Sequence, residues 1–454
     1  MNIFVDFVEK IIGEISNFIW PIFLPFMLIL GLYLSVKFII KIQPETSVKS
    51  DLKIKNVIGP ASISLGAMVG TGAIIGVLGS LSKLSEYGQI NIEAMAMWAV
   101  IGSLIMIPVS YCETVISKIL NMTPKKYIAK FISPTASMIY CVAFVILYIL
   151  GIGGFQFSGI DIVTTIITNK FLGIELSQIQ RYLFIIIPIV LVIAGIVLSR
   201  KHSIFINSMT YMIFSAVVLY FIFFMIFLFK TRAFAPVFFS SMIEGMKQPI
   251  SMMIGVPAGF MFGVQRVMQT AEPGIGTMAM AAVEADSEPR EAGQIALIPT
   301  IITVLVAIVV TSYITSYGVN TGIFNLPIDG MGRLNGYFMT AEKVTGVFGL
   351  IVLSLFTLLS AMTTLLGSYF FLGQLFHNSE NTNIKIYLGI IILAGTMAVF
   401  GFNIIFDIVD LLIFVVAALN MIALSIFAKD KWKDYRIKDN NSEVTQIIKG
   451  KLVK

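Results

Sequence analysis

The residues with the most chemistry to offer are not side chains but a weakened stretch of backbone. Gly66-Ala67-Met68-Val69-Gly70-Thr71-Gly72-Ala73-Ile74-Ile75-Gly76 sits in an apolar run that continues to about Leu84. Glycine costs about 1 kcal/mol relative to alanine inside a helix, and three glycines between Gly70 and Gly76 concentrate that cost in under two turns. At membrane depth, irregular backbone survives only where protein or a water-filled cavity takes its hydrogen bonds. A broken helix with freed amides and carbonyls that bind something is one reading; glycines that let two helices pack closely is the other. A second stretch of the same kind is Gly255-Val256-Pro257-Ala258-Gly259-Phe260-Met261-Phe262-Gly263. Its proline removes a backbone donor and clashes with the preceding turn. Acidic residues within apolar runs include Glu93, Glu113 and Asp161. For each, a structural salt bridge or an interfacial position competes with a proton relay.

These residues must be held by membrane-spanning helices. Only 12% of the 454 residues are charged and 57% are hydrophobic, with mean hydropathy +0.92; a soluble domain carries about twice that charge. Met1–Ser16 reads as an amphipathic interfacial segment. Eleven apolar runs follow, at about 18–40, 57–84, 92–120, 134–168, 180–199, 204–229, 245–265, 292–318, 344–372, 384–405 and 405–428. Each reaches the roughly 20 residues a bilayer requires. Asp407 and Asp410 mark a tight turn between the last two. The chain is thus expected to be one all-α polytopic membrane domain, residues 1–428, followed by a basic cytoplasmic tail, 429–454. Of the 31 Lys and Arg residues, 22 fall on one set of span ends. By the positive-inside rule that set is cytoplasmic, so the N-terminus lies outside and the C-terminus inside.

The same count relates the two weakened stretches. Setting the first span aside, the run at 57–84 is the first of ten and the run at 245–265 the sixth, crossing in the opposite direction. Two interrupted helices at corresponding positions are the sequence signature of an inverted-repeat transporter site. The halves are then about 57–229 and 245–428, and binding gains on packing as the reading of the glycines.

Met68-Val69-Gly70-Thr71-Gly72-Ala73-Ile74-Ile75-Gly76-Val77 resembles a motif of the alanine/glycine:cation symporter family. Gly263-Val264-Gln265-Arg266-Val267-Met268-Gln269-Thr270-Ala271-Glu272-Pro273-Gly274-Ile275-Gly276-Thr277 resembles the family's Gly-Val-Lys-Arg…Ser-Asn-Glu-Ala-Gly-x-Gly-Ser segment. Trp98, Tyr111-Cys112-Glu113, Gly151-Ile152-Gly153 with Gln156, and Thr363-Thr364-Leu365-Leu366-Gly367 echo it further, in family order, over residues 18–425. The sequence departs from the pattern at Ala73, where the family has asparagine, at Gln265 and at Ala271-Glu272-Pro273-Gly274. Ala73 opens the site to a bulkier or more apolar substrate than alanine.

The resemblance implies a leucine-transporter-like five-plus-five inverted repeat with one extra N-terminal helix, about 11 transmembrane helices in all. It implies a plasma-membrane symporter importing a small neutral amino acid, alanine- or glycine-like, with sodium, by alternating access. A half-helix N-terminus offers unpaired N–H groups and a positive dipole to a carboxylate. On this reading the amides of Thr71 and Gly72 take the substrate carboxylate. Gln156 and the second break, with Ala258, Gly259 and Phe262, complete the substrate site. The sodium site carried over from the fold uses the carbonyls of Gly66 and Val69 with the hydroxyls of Thr363 and Thr364. An adjacent Thr-Thr pair also tends to bond its own i−4 carbonyls. Arg266 and Glu272, near Gly274-x-Gly276, are expected to form an inner gate, and Glu113 to pair with Arg266 or Lys118. No enzyme inventory can be assembled: there is no Ser–His–acid set or P-loop, and Cys112, Cys141, His202 and His377 have no metal-site spacing. No cofactor beyond the coupling sodium, no nucleic acid and no obligate protein partner are implied; the bilayer is. The alternatives are a proton-coupled or uncoupled facilitator and a transporter-derived sensor.

Overall fold

A chain this apolar can satisfy its backbone in lipid only in helices or a closed barrel, and the described residues of the computed structural model are nearly all helical. These are 2–37, 54–86, 91–247, 260–283, 287–326, 332–376, 378–400 and 402–431. In chain order the helices are α1 (Asn2–Ser35), α2 (Ile54–Met68), α3 (Gly72–Glu86), α4 (Ile92–Leu120), α5 (Pro124–Phe131) and α6 (Pro134–Leu172). Then come α7 (Gln178–Leu198), α8 (His202–Lys230), α9 (Ala235–Gly245), α10 (Phe260–Ala271), α11 (Thr277–Val283) and α12 (Pro289–Asn320). The chain continues through α13 (Gly332–Thr345), α14 (Val347–Leu375), α15 (Glu380–Phe400) and α16 (Phe402–Ile426). Ten helices among the described residues are long and apolar enough to cross a membrane. Part of the expected run at 245–265, residues 248–259, lies outside the described residues, and Ala258 and Gly259 lie there too.

Local sequence sets several boundaries. The Asn91 side chain accepts the Ala94 N–H at the start of α4, and Asn121 ends that helix in the left-handed region at φ 51°, a conformation asparagine tolerates better than most residues. Ser133 caps α6 just before Pro134. Within α6 the backbone loosens to π-helix over Ile146–Ile152, next to Gly151 and Gly153, and this turn re-aims the residues that follow, Gln156 among them. Met1–Ser16 does not stand apart from the first span: α1 is one helix through Pro21 and Pro25. Asp407 and Asp410 mark no turn. α16 starts at Phe402, and Asp410 is fully buried within it.

Large apolar side chains cover the outer faces of α7 and α8, among them Phe184, Leu191, Tyr211, Val218 and Phe229. This is the surface a bilayer requires. The centre is the reverse: α2, α3, α10 and α11 are enclosed, with nearly every described side chain buried. α10 packs on α3 and α4, while α11 packs on α2 and α4; α14, α12 and α8 close around α2. α2–α3 and α10–α11 therefore run antiparallel through the middle of the bundle.

Candidate functional site

The first helix is broken where its glycines stand. α2 ends at Met68 and α3 begins at Gly72, and the turn between them is closed by Ala73 N–H to the Gly70 carbonyl (3.1 Å) and Ile74 N–H to the Thr71 carbonyl (3.0 Å). Gly70 is required there by contact. A Cβ on it would lie 2.6 and 2.7 Å from the Gln156 amide atoms and 2.7 Å from Thr364 Oγ1. The absence of that carbon lets two other helices reach the break.

From α6, Gln156 Oε1 accepts both the Thr71 N–H (2.8 Å) and the Thr71 hydroxyl (2.9 Å); the same hydroxyl is also 3.0 Å from the Phe155 carbonyl. Gly159 admits Thr71, whose Cγ2 would stand 2.4 Å from a Cβ there. Gln156 thus caps the N-terminus of α3 and takes the Thr71 amide, one of the two expected to meet a substrate carboxylate. Gly72 is left open. It is the first residue of α3, nothing lies within 4 Å of the position its Cβ would take, and it is partly accessible between buried neighbours.

From α14, the Thr364 hydroxyl lies 3.1 Å from the Gly66 carbonyl and 3.1 Å from the Ser360 carbonyl. Thr363 Oγ1 donates to the Ser360 carbonyl at 2.8 Å, and its Cβ would be 3.1 Å from a Cβ on Gly66. Gly66, Thr363 and Thr364 therefore meet, and back-bonding along the helix and contact across helices coexist. Val69 is fully buried in the same break. Clustered carbonyl and hydroxyl oxygens of this kind suit a hard monovalent cation. Among the described residues no group of three or more His, Cys, Asp and Glu side chains could hold a metal ion.

Residues 255–259 of the expected second break lie outside the described residues. α10 is helical straight through Gly263, whose Cβ would meet the Met95 carbonyl oxygen at 2.6 Å and the Ala99 nitrogen at 2.8 Å. That glycine presses α10 against the α4 backbone. Among the described residues the second break lies between α10 and α11, at Glu272–Gly276, where Glu272 (φ 51°), Gly274 (φ 79°) and Gly276 (φ 102°) are all left-handed. A non-glycine residue in that region costs about 1–2 kcal/mol. Phe262 belongs to the apolar core, ten residues and hence about 15 Å along the axis from this break, so it does not border it. Pro273-Gly274 followed by Gly276 is the sequence signal for this break.

Arg266 and Glu272, expected at an inner gate, bond to different helices. Arg266 is fully buried, with Nη2 3.3 Å from Asp410 Oδ1 on α16 and Nη1 3.4 Å from the Gly76 carbonyl. This ties α10, α16 and α3 together on the α3 side of the breaks. The Glu272 carboxylate accepts the Tyr148 hydroxyl at 2.7 and 2.8 Å, on the π-helical turn of α6. Glu113 turns to the second break, where its Oε2 accepts the Gly276 N–H (3.1 Å) and the Asn420 side-chain N–H (3.0 Å). Asn420 also donates to the Gly274 carbonyl (2.8 Å) and accepts the Tyr127 hydroxyl; Tyr140 donates to the Ile275 carbonyl (2.8 Å). These partners arrive from α4, α5, α6 and α16, and no local motif announces them. Asp161 forms a buried ion pair with Arg181 at 2.6 Å, joining α6 to α7. Glu93 accepts from Ser316.

A model of the sodium:alanine symporter family matches residues 5–448. No curated protein matches the chain in sequence. Among solved structures, a Na+-coupled sialic acid symporter in a substrate-bound outward-open state is similar at TM-score 0.52 and 14% identity, over 91% of this chain and 86% of that one. A mutant of the Eremococcus coleocola manganese transporter is similar at TM-score 0.52 and 13% identity, over 85% and 82%. At such identities the likeness is one of fold.

Proposed function

Because the chain belongs to the sodium:alanine symporter family, and is therefore a cation-coupled membrane transporter rather than an enzyme, we propose that it imports a small neutral amino acid together with sodium by alternating access. The observation that carries this reading is the first break. On its α2 side the Gly66 carbonyl and Thr364 hydroxyl stand 3.1 Å apart, and on its α3 side Gly72 opens a helix N-terminus to an uncrowded space. Sodium binds among the carbonyls of Gly66 and Val69 and the hydroxyls of Thr363 and Thr364, displacing the hydrogen bond that now joins two of them. The substrate carboxylate lies at the Gly72 amide, drawn by the positive end of α3, with Thr71 held in place by Gln156. The ammonium faces carbonyls of the second break. Sodium, three residues of chain away from the carboxylate, favours the substrate electrostatically, and each stabilises the other's site.

The antiparallel pairing of α2–α3 with α10–α11 supports an inverted repeat of two five-helix halves, in which these central helices move against the rest. The bond network around Glu272–Gly276 and the Arg266–Asp410 pair grip opposite sides of the breaks, and alternate release of the two opens the site to one side at a time. The Lys/Arg asymmetry supports a plasma-membrane orientation with the N-terminus outside and the C-terminus in the cytoplasm.

Uptake of labelled alanine into proteoliposomes, with and without an inward sodium gradient, tests the reading. Sodium-dependent accumulation is expected. Accumulation driven by a proton gradient and indifferent to sodium would replace the ion assignment with a proton carried at Glu272 or Glu113, the two carboxylates at the second break. Failure to accumulate any small neutral amino acid would overturn the substrate class.

A further inference from the structure

One polar side chain near the first break has no use in the scheme above. Gln269, in the last turn of α10, is 8% exposed, and neither its Oε1 nor its Nε2 has a hydrogen-bond partner among the described residues. A buried amide carries two donor hydrogens and an oxygen with two lone pairs, and leaving it unpaired is costly enough that each such group calls for a reason. Its position supplies one. Gln269 Oε1 stands 3.1 Å from the point a Cβ would occupy on Gly76, with Arg266 Nη1 at 3.6 Å from the same point. Gly72 and Gly76 are four residues apart and share one face of α3. The Gln269 amide is thus one turn above the open space at Gly72. Along that turn α3 offers only Gly72, Ala73, Ile74, Ile75 and Gly76, none with a polar side chain. Arg266 is engaged by Asp410 and the Gly76 carbonyl. Gln269 is left as the polar side chain from α10 that stands on this face of α3, one turn from Gly72.

We propose that Gln269 is a specificity residue that hydrogen-bonds the side chain of the transported amino acid, which is a small neutral one bearing a hydroxyl or carboxamide rather than alanine or glycine. This rests on the reading that a substrate carboxylate lies at Gly72. The chemistry selects the class: an amide that must both donate and accept is matched by a group that does both. A methyl would leave both amide functions unpaired, and a second carboxylate would leave the oxygen unpaired. The carboxylate and ammonium of the substrate are met at Gly72 and at the second break, so the side chain is the part that reaches Gln269. A more apolar substrate, which Ala73 alone would suggest, does not suit this amide.

The test is competition in proteoliposomes: sodium-driven uptake of labelled serine, challenged by unlabelled serine, asparagine, alanine and glycine, for the native protein, Gln269→Met and Gln269→Glu. The native protein should prefer serine or asparagine over alanine by at least about tenfold, since a site built to bond a polar group discriminates strongly against an analogue lacking it. Q269M should abolish that preference while keeping sodium-driven alanine uptake; Q269E, which retains an acceptor, should keep part of it. Should Q269M prove inactive, ligand-dependent melting of the purified variant reads the same preference without transport. Equal preference for serine and alanine in the native protein, or a preference unmoved in Q269M, overturns the proposal and reduces Gln269 to a residue that holds water. Sodium-driven alanine uptake in those cases leaves the transport reading standing; its absence for every neutral amino acid removes both.

Discussion

Gly70 is where the two proposed sites share a single atom's worth of space, and Gly70→Ala isolates that coupling. The added Cβ would lie 2.6 Å from Gln156 Oε1 and 2.7 Å from Thr364 Oγ1, against the 3.4 Å at which ordinary contact begins. Each group must retreat by roughly 0.7–0.8 Å, or the break must widen. Gln156 cannot retreat freely, because its oxygen holds the Thr71 N–H at 2.8 Å. A retreat of that size takes the bond to about 3.5 Å, beyond the useful range of an N–H···O bond. An unpaired buried donor costs about 1–3 kcal/mol, and overpacking costs about 1–3 kcal/mol more. The lower end of the sum, about 2 kcal/mol, corresponds to roughly a thirtyfold loss of affinity. If, as proposed, Gln156 organises the substrate amide and Thr364 the ion oxygens, the substrate KM and the sodium half-saturation should rise together. The assay is uptake in proteoliposomes at varied substrate and sodium, with melting of the purified variant as the check on folding. Gly72→Ala is the counterpart. Its Cβ meets nothing, so the variant should fold as well as the native protein, with a methyl group beside the substrate carboxylate raising KM alone. Gly70→Ala with both constants within twofold of native would refute the geometric reasoning. A Gly72→Ala variant with native KM would remove the carboxylate from Gly72.

Three further outcomes are expected. Arg266→Met should lower stability by about 3–5 kcal/mol by removing the guanidinium of a buried ion pair, whereas R266M combined with Asp410→Leu should recover much of the loss; a double variant as unstable as the sum of the singles would sink the pairing. Thr364→Ala should raise the sodium half-saturation several-fold at unchanged melting temperature, and an unaltered sodium dependence would take Thr364 out of the ion site. Asn420→Leu should strand the Gly274 carbonyl and the Tyr127 hydroxyl, each about 1–3 kcal/mol when unpaired, and leave Glu113 Oε2 with the Gly276 N–H alone; an unshifted melting temperature would show that this network does not hold the second break.

The amino-acid sequence by itself determined the membrane class, nearly all of the spans and the location of the first break. Apolar run length and the price of glycine in a helix are local quantities, and no partner is needed to evaluate them. It also singled out Gly66, Thr71, Gln156, Thr363 and Thr364, which the fold does bring together. It could not tell one kind of glycine from another. Gly70 and Gly263 look alike along the chain, yet a Cβ would meet the ends of two polar side chains at the first and the α4 backbone at the second. What abuts a glycine comes from residues that are distant in sequence. For the same reason Glu113 turned to Gly276 and Asn420, and Arg266 to Asp410, 144 positions away. Which buried charge meets which donor is decided by how the helices cross, and only the tertiary structure contains that.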